Sequence, residues 1–253
     1  MIEVRNIYKS FGTQTVLKGI SFKVSLGESL VIIGRSGCGK SVLLKLLIGL
    51  IKPEAGEIWI DGENITSMNE RELMRIRKRF GMVFQGAALF DSMTVAENVA
   101  FPLRRNTSLS ENEIHKKVME VLDLVGLKGS ENKKPAELSG GMRKRVGIAR
   151  AIVYNPEIIL YDEPTTGLDP IVADAIDKLI INVRDVLKIT TLVVTHDMRS
   201  AKKLATRIIM LHEGTIRIDD SPEKVFTSTD PIVRQFVEGV SDPYAPRYLH
   251  TDA

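Results

Sequence analysis

Leu30-Val31-Ile32-Ile33-Gly34-Arg35-Ser36-Gly37-Cys38-Gly39-Lys40-Ser41 is an apolar run that breaks into a glycine-rich turn and ends on a lysine and a hydroxyl. Its second half fits the phosphate-loop pattern G-x-x-x-x-G-K-[ST]. Four consecutive apolar residues suit a short strand buried on both faces. The glycines let the backbone approach phosphate oxygens, and a helix starting at Lys40 adds its positive end. Lys40 supplies a point charge for β- and γ-phosphates, and Ser41 a hydroxyl for Mg²⁺. With glycine near 7% of residues, chance gives this pattern in roughly one chain in a hundred of this length. The buried strand before it and the amphipathic stretch after it argue against a mere glycine-rich turn.

Outward from this loop the chain alternates strands and helices. Residues 1 to about 25 alternate apolar and polar positions (Ile2, Val4, Val16, Leu17, Ile20, Phe22, Val24), which predicts antiparallel strands turning at Gly12-Thr13. Lys40 to Leu50 reads as a helix stopped by Gly49 and Pro53. Ile58 to Gly62 reads as a strand entering a turn. Glu70 to Phe80 reads as a polar helix whose Arg71, Arg75, Arg77, Lys78 and Arg79 form a solvated face. Between Gly86 and Tyr154 the pattern turns helical. Ile114, Val118, Val121, Leu122 and Val125 recur at helix spacing behind a Ser110/Glu113 capping box. After Asn155-Pro156 come a buried strand Ile158 to Tyr161, a helix over 170–187, a strand Thr190 to Val194, a helix over 197–205 and a hairpin at Glu213-Gly214. This alternation predicts an α/β fold with a mostly parallel sheet and an inserted helical subdomain.

Other motifs fall at the predicted strand ends. Asp162 and Glu163 follow the second buried strand, at the carboxyl edge where α/β sheets bind ligands. Asp162 is placed to hold Mg²⁺, mostly through water, and Glu163 to polarise an attacking water as general base. An Asp-Glu pair at a strand end is often only a turn; Pro164 and the phosphate loop shift the balance toward chemistry. His196 follows Val193-Val194-Thr195 and is placed to contact the γ-phosphate and hold the water. His115, His212 and His250 read as structural. Gln85 ends the apolar run Met82-Val83-Phe84, within reach of Mg²⁺ or the water. Phe11 offers a ring to stack on a purine, with a buried hairpin side chain as the equal alternative. Leu138-Ser139-Gly140-Gly141 opens a helix carrying Arg143, Lys144, Arg145 and Arg150. Ser139 and the two glycine N–H groups make a second phosphate-binding surface. It lies far along the chain from Lys40, so two copies close two sites only by pairing head to tail.

In this order and spacing the motifs resemble the nucleotide-binding subunit of an ATP-binding cassette (ABC) transporter, over residues 1 to about 238. The resemblance implies a P-loop NTPase fold of ABC type. A RecA-like ATP-binding core with an antiparallel β subdomain would span 1–85 and 157–238, a helical signature subdomain 86–156, and a C-terminal extension 239–253. It implies ATP and Mg²⁺ as ligands. Gly34, Arg35, Ser36, Gly37, Cys38, Gly39, Lys40, Ser41 and Val42 would surround the phosphates, and Phe11 would stack on adenine. Gln85 would link the site to a membrane partner. Ser139, Gly140 and Gly141 would read the γ-phosphate of ATP held by the opposite subunit. Thr166-Gly167-Leu168-Asp169 resembles the loop that crosses the dimer interface. The implied catalytic set is Glu163, His196 and Lys40, and the implied metal set Ser41, Gln85 and Asp162.

Two positions depart from the family pattern: Met142 stands where glutamine is usual, and Val42 where threonine is usual. Losing one neutral hydrogen bond costs about 0.5–1.5 kcal/mol, so nucleotide binding survives Val42. Ser139, Gly140 and Gly141 remain, so hydrolysis is expected despite Met142. Leu138-Ser139-Gly140-Gly141-Met142-Arg143-Lys144-Arg145, with Phe84-Gln85-Gly86-Ala87-Ala88-Leu89-Phe90-Asp91-Ser92-Met93-Thr94-Val95 and Glu97 to Leu103, is similar to the ATPase of Mla-type phospholipid transporters. That resemblance implies an integral-membrane permease and a substrate-binding protein of the mammalian-cell-entry class as partners, besides a second copy of the chain. Residues about 86 to 105 would dock the permease. Three rivals differ in observable ways. An importer ATPase for small polar solutes such as amino acids would more often carry glutamine at position 142. A soluble cassette protein of translation or DNA repair would usually carry two cassettes or a coiled-coil insertion. A non-hydrolytic regulator would not need Lys40, Asp162, Glu163 and His196 together.

The 253 residues suffice for one large domain or two small ones, and 43% hydrophobic with 26% charged is ordinary for a soluble protein. A net charge of +3, from 35 basic and 32 acidic residues, gives no case for nucleic acid. A single cysteine, Cys38, excludes an internal disulfide and suggests a reducing compartment. No apolar run reaches the roughly 20 residues that cross a bilayer, and Met1-Ile2-Glu3-Val4-Arg5 lacks a secretory layout. The expectation is a peripheral protein on the cytoplasmic face of the inner membrane. The tail from Val240, with Pro243, Tyr244, Pro246 and Tyr248, is expected to be an extended segment that reaches the partner ATPase.

Overall fold

The computed structural model describes residues 1–240 and holds two sheets and nine α-helices among them. β1 (Ile2–Phe11) and β2 (Gln14–Val24) form the predicted antiparallel pair, turning at Gly12-Thr13. The second sheet contains β3 (Ser29–Ile33), and the first is completed by β4 (Ala55–Ile60) and the short β5 (Glu63–Asn64), in the order β2-β1-β4-β5. β6 (Phe80–Val83), β7 (Ile158–Asp162), β8 (Thr190–Thr195), β9 (Arg207–His212) and β10 (Thr215–Asp220) join β3 in the order β10-β9-β3-β8-β7-β6. Every pairing in that sheet is parallel except β9 with the edge strand β10.

The helices are α1 (Lys40–Leu47), α2 (Glu70–Arg77), α3 (Val95–Asn106), α4 (Glu111–Leu124), α5 (Gly140–Ile152), α6 (Pro170–Leu187), α7 (Met198–Leu204), α8 (Pro222–Phe226) and α9 (Pro231–Glu238). α2, α3 and α4 each begin with a capping box, Asn69/Glu72, Thr94/Glu97 and Ser110/Glu113. Such pairs satisfy two of the backbone donors that a helix start leaves free.

β3 shows why its sequence is apolar from Leu30 to Ile33. Side chains of a strand alternate between faces, and here both faces are covered. Leu30 and Ile32 pack with Leu43, Leu44 and Leu47 of α1 and with Ile2, Ile20 and Ile58 of the antiparallel sheet. Val31 and Ile33 pack with Val99 of α3, Ile148 of α5 and Ile176 of α6. Each such buried side chain contributes about 1.5–3 kcal/mol.

Four readings need correction. α1 ends at Leu47 rather than Leu50, because Gly49 turns to φ 64° and the Leu50 N–H bonds back to Lys45. α2 ends at Arg77 because Phe80 opens β6. The basic run on α2 is not simply solvated: Arg77 donates to the carbonyls of Ile48 and Gly49, tying down the end of α1. Arg79, just past α2, pairs with Asp61 and Glu157. The alternation also does not stop at the hairpin, since α8 and α9 follow. Ser221-Pro222 and Asp230-Pro231, each a capping side chain before a proline, carried that signal in the sequence. No helix among the described residues is long and apolar enough to cross a membrane. The proposed reach of the tail falls, apart from Val240, outside the described residues.

Candidate active site

Strand order brings the motifs together. β3, β8, β7 and β6 are consecutive neighbours, with Ile33 opposite Thr195, Val194 opposite Asp162, and Tyr161 opposite Val83. Their carboxyl ends therefore set the phosphate loop, His196, Asp162-Glu163 and Gln85 in a row, although 162 positions separate Gly34 from His196 in sequence. That edge is where parallel sheets bind ligands. A cavity of about 630 Å³ opens there, lined by Arg35, Ser36, Lys40, Ser41, Gln85, Glu163 and His196, and by Gln235, Phe236, Gly239 and Val240 from the end of α9.

The loop between β3 and α1 depends on glycine. At Gly34 a Cβ would lie 2.5 Å from the Leu211 carbonyl oxygen and 2.7 Å from Cys38 Sγ. Gly37 and Gly39 take φ values of 78° and 104°, a left-handed backbone that suits anion-binding concavities. Lys40 is buried at the base of the cavity. Its Nζ donates to the carbonyls of Gly34 (2.8 Å) and Arg35 (3.1 Å) and stands 3.8 Å from Glu163 Oε1. Burial pushes the Cys38 thiol pKa up, so this cysteine is a poor nucleophile and a packing element.

Glu163 is 7% exposed and sits at φ 50°, an uncommon conformation for glutamate. Its Oε2 accepts from Thr166 Oγ1 (3.0 Å) and from the His196 backbone N–H (3.4 Å), and the His196 ring lies beside it with Nδ1 2.8 Å away. Two donors on one oxygen fix the carboxylate while Oε1 faces Lys40. Ser41 Oγ donates to Asp162 Oδ1 (2.8 Å). Burial raises the Asp162 pKa, against the Ser41 hydrogen bond, and neighbouring Glu163 raises it further. A carboxylate in that position gains from a cation. Ser41, Asp162 and Gln85 offer hard oxygen donors, and the described residues hold no dense cluster of metal-ligating side chains. That set fits Mg²⁺, which keeps waters and substrate phosphates in its shell.

Neither the turn before α5 nor Phe11 lies in this cavity. Ser139, Gly140 and Gly141 do not line it; Ser139 caps α5 by accepting from the Met142 N–H (3.2 Å). Phe11 does not line it either. It is 50% exposed, with Lys9 Nζ 5.2 Å from its ring centroid, which rules out the buried-hairpin alternative.

The four basic residues of α5 all bond to backbone carbonyls. Arg143 donates to Leu138, Arg145 to Val125, and Arg150 to Ala87 and Ala88, which both adopt left-handed conformations. Lys144 donates to Gln85 and Glu163. Sequence reasoning missed Lys144, which holds the Glu163 backbone carbonyl, and Thr166, which holds its carboxylate, and it missed the α9 wall. Nothing in the residue pattern places α9 against the loop, where Gln235 Oε1 accepts from Arg35 (3.2 Å).

A second concavity, about 460 Å³, runs between the sheet and the helical region and is lined by Met74, Phe84, Phe90, Phe101, Arg150 and Tyr154 among others. It shares the Gln85 loop with the first through Phe84 and Ala88.

The ABC transporter family model matches residues 17–166. The chain is 46% identical over 238 residues to the probable ribonucleotide transport ATP-binding protein mkl of Mycobacterium leprae, covering 94% of this chain and 69% of that one. It is 40% identical over 246 residues to the intermembrane phospholipid transport system ATP-binding protein MlaF of Escherichia coli K12, covering 97% and 91%. Among solved structures, the dimeric ATP-binding cassette MJ0796 in a post-hydrolysis state with ADP and Pi aligns at 35% identity and a TM-score of 0.80, covering 88% of this chain and 99% of that one.

Proposed function

The chain belongs to the ABC transporter family and is an ATPase of that type, and from this premise we propose that it works as a head-to-tail homodimer that powers a membrane permease moving phospholipid. The observation that carries the ATPase assignment is the single cavity holding Lys40, Ser41, Glu163 and His196. The dimer reading draws on the separation of Ser139, Gly140 and Gly141 from that cavity, and on the dimeric state of the aligned cassette.

In this reading the γ-phosphate of ATP lies against Lys40 and the His196 ring. Glu163 takes a proton from a water whose oxygen attacks phosphorus in line with the leaving ADP oxygen. The bond from phosphorus to that oxygen breaks as the new one forms, and ADP and phosphate result. Thr166 and the backbone N–H of His196 keep the Glu163 carboxylate aimed. Lys40 exchanges its loop carbonyls for phosphate oxygens. Mg²⁺, held by Ser41, Asp162 and Gln85, would neutralise developing phosphate charge. The partner copy contributes Ser139, Gly140 and Gly141. Phe11 stacks on adenine, and the loop residues Gly34 to Val42 surround the phosphates.

The division into a core (1–85 and 157–238), a helical signature region (86–156) and an extension (239–253) is part of the same proposal. So is a permease docked in the groove between Met74 and Phe90, where an apolar surface meets the Gln85 loop. The protein would sit on the cytoplasmic face of the inner membrane, and a substrate-binding protein of the mammalian-cell-entry class would complete the system. Phospholipid is favoured by the run from Leu138 to Arg145 and by the similarity to MlaF. A second reading, a polar nucleotide as cargo, is favoured by the similarity to the mycobacterial ribonucleotide transport ATP-binding protein, of which the chain spans about two thirds.

Purification of the native assembly from detergent-solubilised membranes, through a tag on this chain, tests the proposal. Mass spectrometry should find a multi-spanning permease, a mammalian-cell-entry protein and enriched phospholipid. A permease without lipid supports a polar cargo, and no membrane partner refutes the transport reading.

A further inference from the structure

Lys144 stands one turn inside α5, the helix that Ser139 caps. It is 6% exposed, and both of its hydrogen bonds go to backbone carbonyls on other loops: Gln85 after β6, and Glu163 after β7 at 3.3 Å. Burial lowers its pKa, while the charges of Glu163 and Asp162 favour the cation. Removing an ammonium from water for two neutral carbonyls is unfavourable in itself. What the arrangement gives in return is a fixed distance between two loops. One ends in the amide of Gln85; the other carries Glu163 in its left-handed conformation.

The neighbouring cations do not duplicate it. Arg143 and Arg145 hold carbonyls away from the cavity, and Arg150 holds the far side of the Gln85 loop at Ala87 and Ala88. Of the basic residues of α5, Lys144 is the one bonded to Glu163 among the described residues.

We propose that Lys144 is a positioning residue that ties the Ser139 end of α5 to Gln85 and Glu163, so that nucleotide held by the partner copy sets the geometry of this copy's own catalytic site. The inference rests on the head-to-tail dimer proposed above. The path is short and stiff: about 7 Å of helix at 1.5 Å per residue, then one side chain. A helix start that closes on a γ-phosphate moves as a body with its next turn, and Lys144 carries that movement to both carbonyls. Each site is thereby made dependent on occupancy of the other.

The test uses the full chain with MgATP and compares wild type, Lys144→Met and Lys144→Arg. Methionine keeps the length of the stem and removes every donor; arginine keeps the charge and donors. Four quantities are read: affinity for a fluorescent ATP analogue, ATP-driven dimer formation in a Glu163→Gln background, kcat with KM, and the Hill coefficient for ATP. Lys144→Met should bind nucleotide within about threefold of wild type and still dimerise, while kcat drops at least about tenfold and the Hill coefficient falls toward 1. Lys144→Arg should recover most of kcat. A methionine variant with kcat and Hill coefficient unchanged overturns the proposal. So does one whose nucleotide affinity and thermal stability fall in step with kcat, because a plain packing role predicts that. Wild type that neither dimerises with ATP nor hydrolyses it removes the dimer reading, a failure visible before any variant is compared.

Discussion

The loop before α1 and the turn before α5 are built in opposite ways. The first is gripped from many directions. Leu211 and Cys38 close on Gly34, Gln235 bonds to Arg35, Lys40 reaches Glu163, and Ser41 reaches Asp162. The second makes few outside contacts. Ser139 caps its own helix, Gly140 and Gly141 lie against Leu168 and Val172, and nothing of it reaches the cavity of Lys40. The gripped loop holds charge in place before substrate arrives, which is the preorganisation that charge stabilisation requires. The turn before α5 keeps its start open. The difference argues for two half-sites per chain, one finished and one waiting for a partner's nucleotide.

The comparison breaks most visibly at Glu163. If the finished half-site does the chemistry, Glu163→Gln lowers kcat by at least about 100-fold, the usual range for a general base. ATP binding persists, and an ATP-bound dimer accumulates in sedimentation or size-exclusion runs. The isosteric amide keeps contact with Thr166 while losing the charge that faces Lys40. Ordinary turnover in that variant would move the base elsewhere. Chelating Mg²⁺ should stop turnover of the wild type to a similar extent.

The turn before α5 breaks sterically. A Cβ on Gly141 would stand 2.6 Å from Val172 Cγ1, whereas one on Gly140 would stand 3.2 Å from Leu168 Cδ2. Overpacking of the first kind costs about 1–3 kcal/mol, and each kcal/mol lowers the melting point of a chain this long by about 2–4 °C. Gly141→Ala should therefore melt several degrees lower than Gly140→Ala. Equal melting points would mean that α5 slides freely on α6, which would also weaken the case for transmission through Lys144.

Much of this was legible in the sequence, and the reasons are local. β3 reads as buried because Leu30 to Ile33 are all apolar, and α4 reads as a helix because Ile114, Val118 and Leu122 share a face behind a capping box. The members of the site were legible because each follows an apolar run: Lys40 and Ser41 past the glycine loop after β3, Gln85 after β6, Asp162 at the end of β7, His196 after β8. Their assembly was not, since it depends on strand order, and no residue states that β8 lies between β3 and β7. Lys144 was hidden for a different reason. A lysine in a basic run reads as solvated or phosphate-facing, and only packing shows that it turns inward. The ends of α1 and α2 were displaced because tertiary demands, the Gly49 turn and the start of β6, overrode helix pattern.

A smaller effect probes what stands behind the gripped region. Asp177 of α6 is 2% exposed, and its Oδ2 accepts from Ser200, whose hydroxyl lies 3.4 Å from Thr165 beyond Glu163. Burial pushes the Asp177 carboxyl up to about 6 from 3.8, against Ser200 and Lys203, which lower it. The native chain thus holds a proton between about pH 4 and pH 6 that the unfolded chain has released. The stability this group contributes falls as pH rises through that window and is level above it. Asp177→Asn keeps an acceptor for Ser200 and removes the titration. Melting points taken from pH 4 to pH 8 should show the variant gaining on wild type up to about pH 6 and holding its advantage beyond. Parallel curves would place the proton elsewhere.

The mildest test falls on Phe11, which belongs to neither half-site by contact. Its ring is half exposed, so Phe11→Ala leaves the core intact and any effect reports on ligand. A stacked aromatic pair is worth about 0.5–1.5 kcal/mol beyond burial, which converts to a rise in the KM for ATP of about 2- to 12-fold with kcat unchanged. That outcome would extend the finished half-site to the antiparallel sheet, so that the base is read at β1 while the phosphates are held at β3. An unchanged KM would confine nucleotide recognition to the phosphate end, where the glycine loop and Lys40 already account for the affinity.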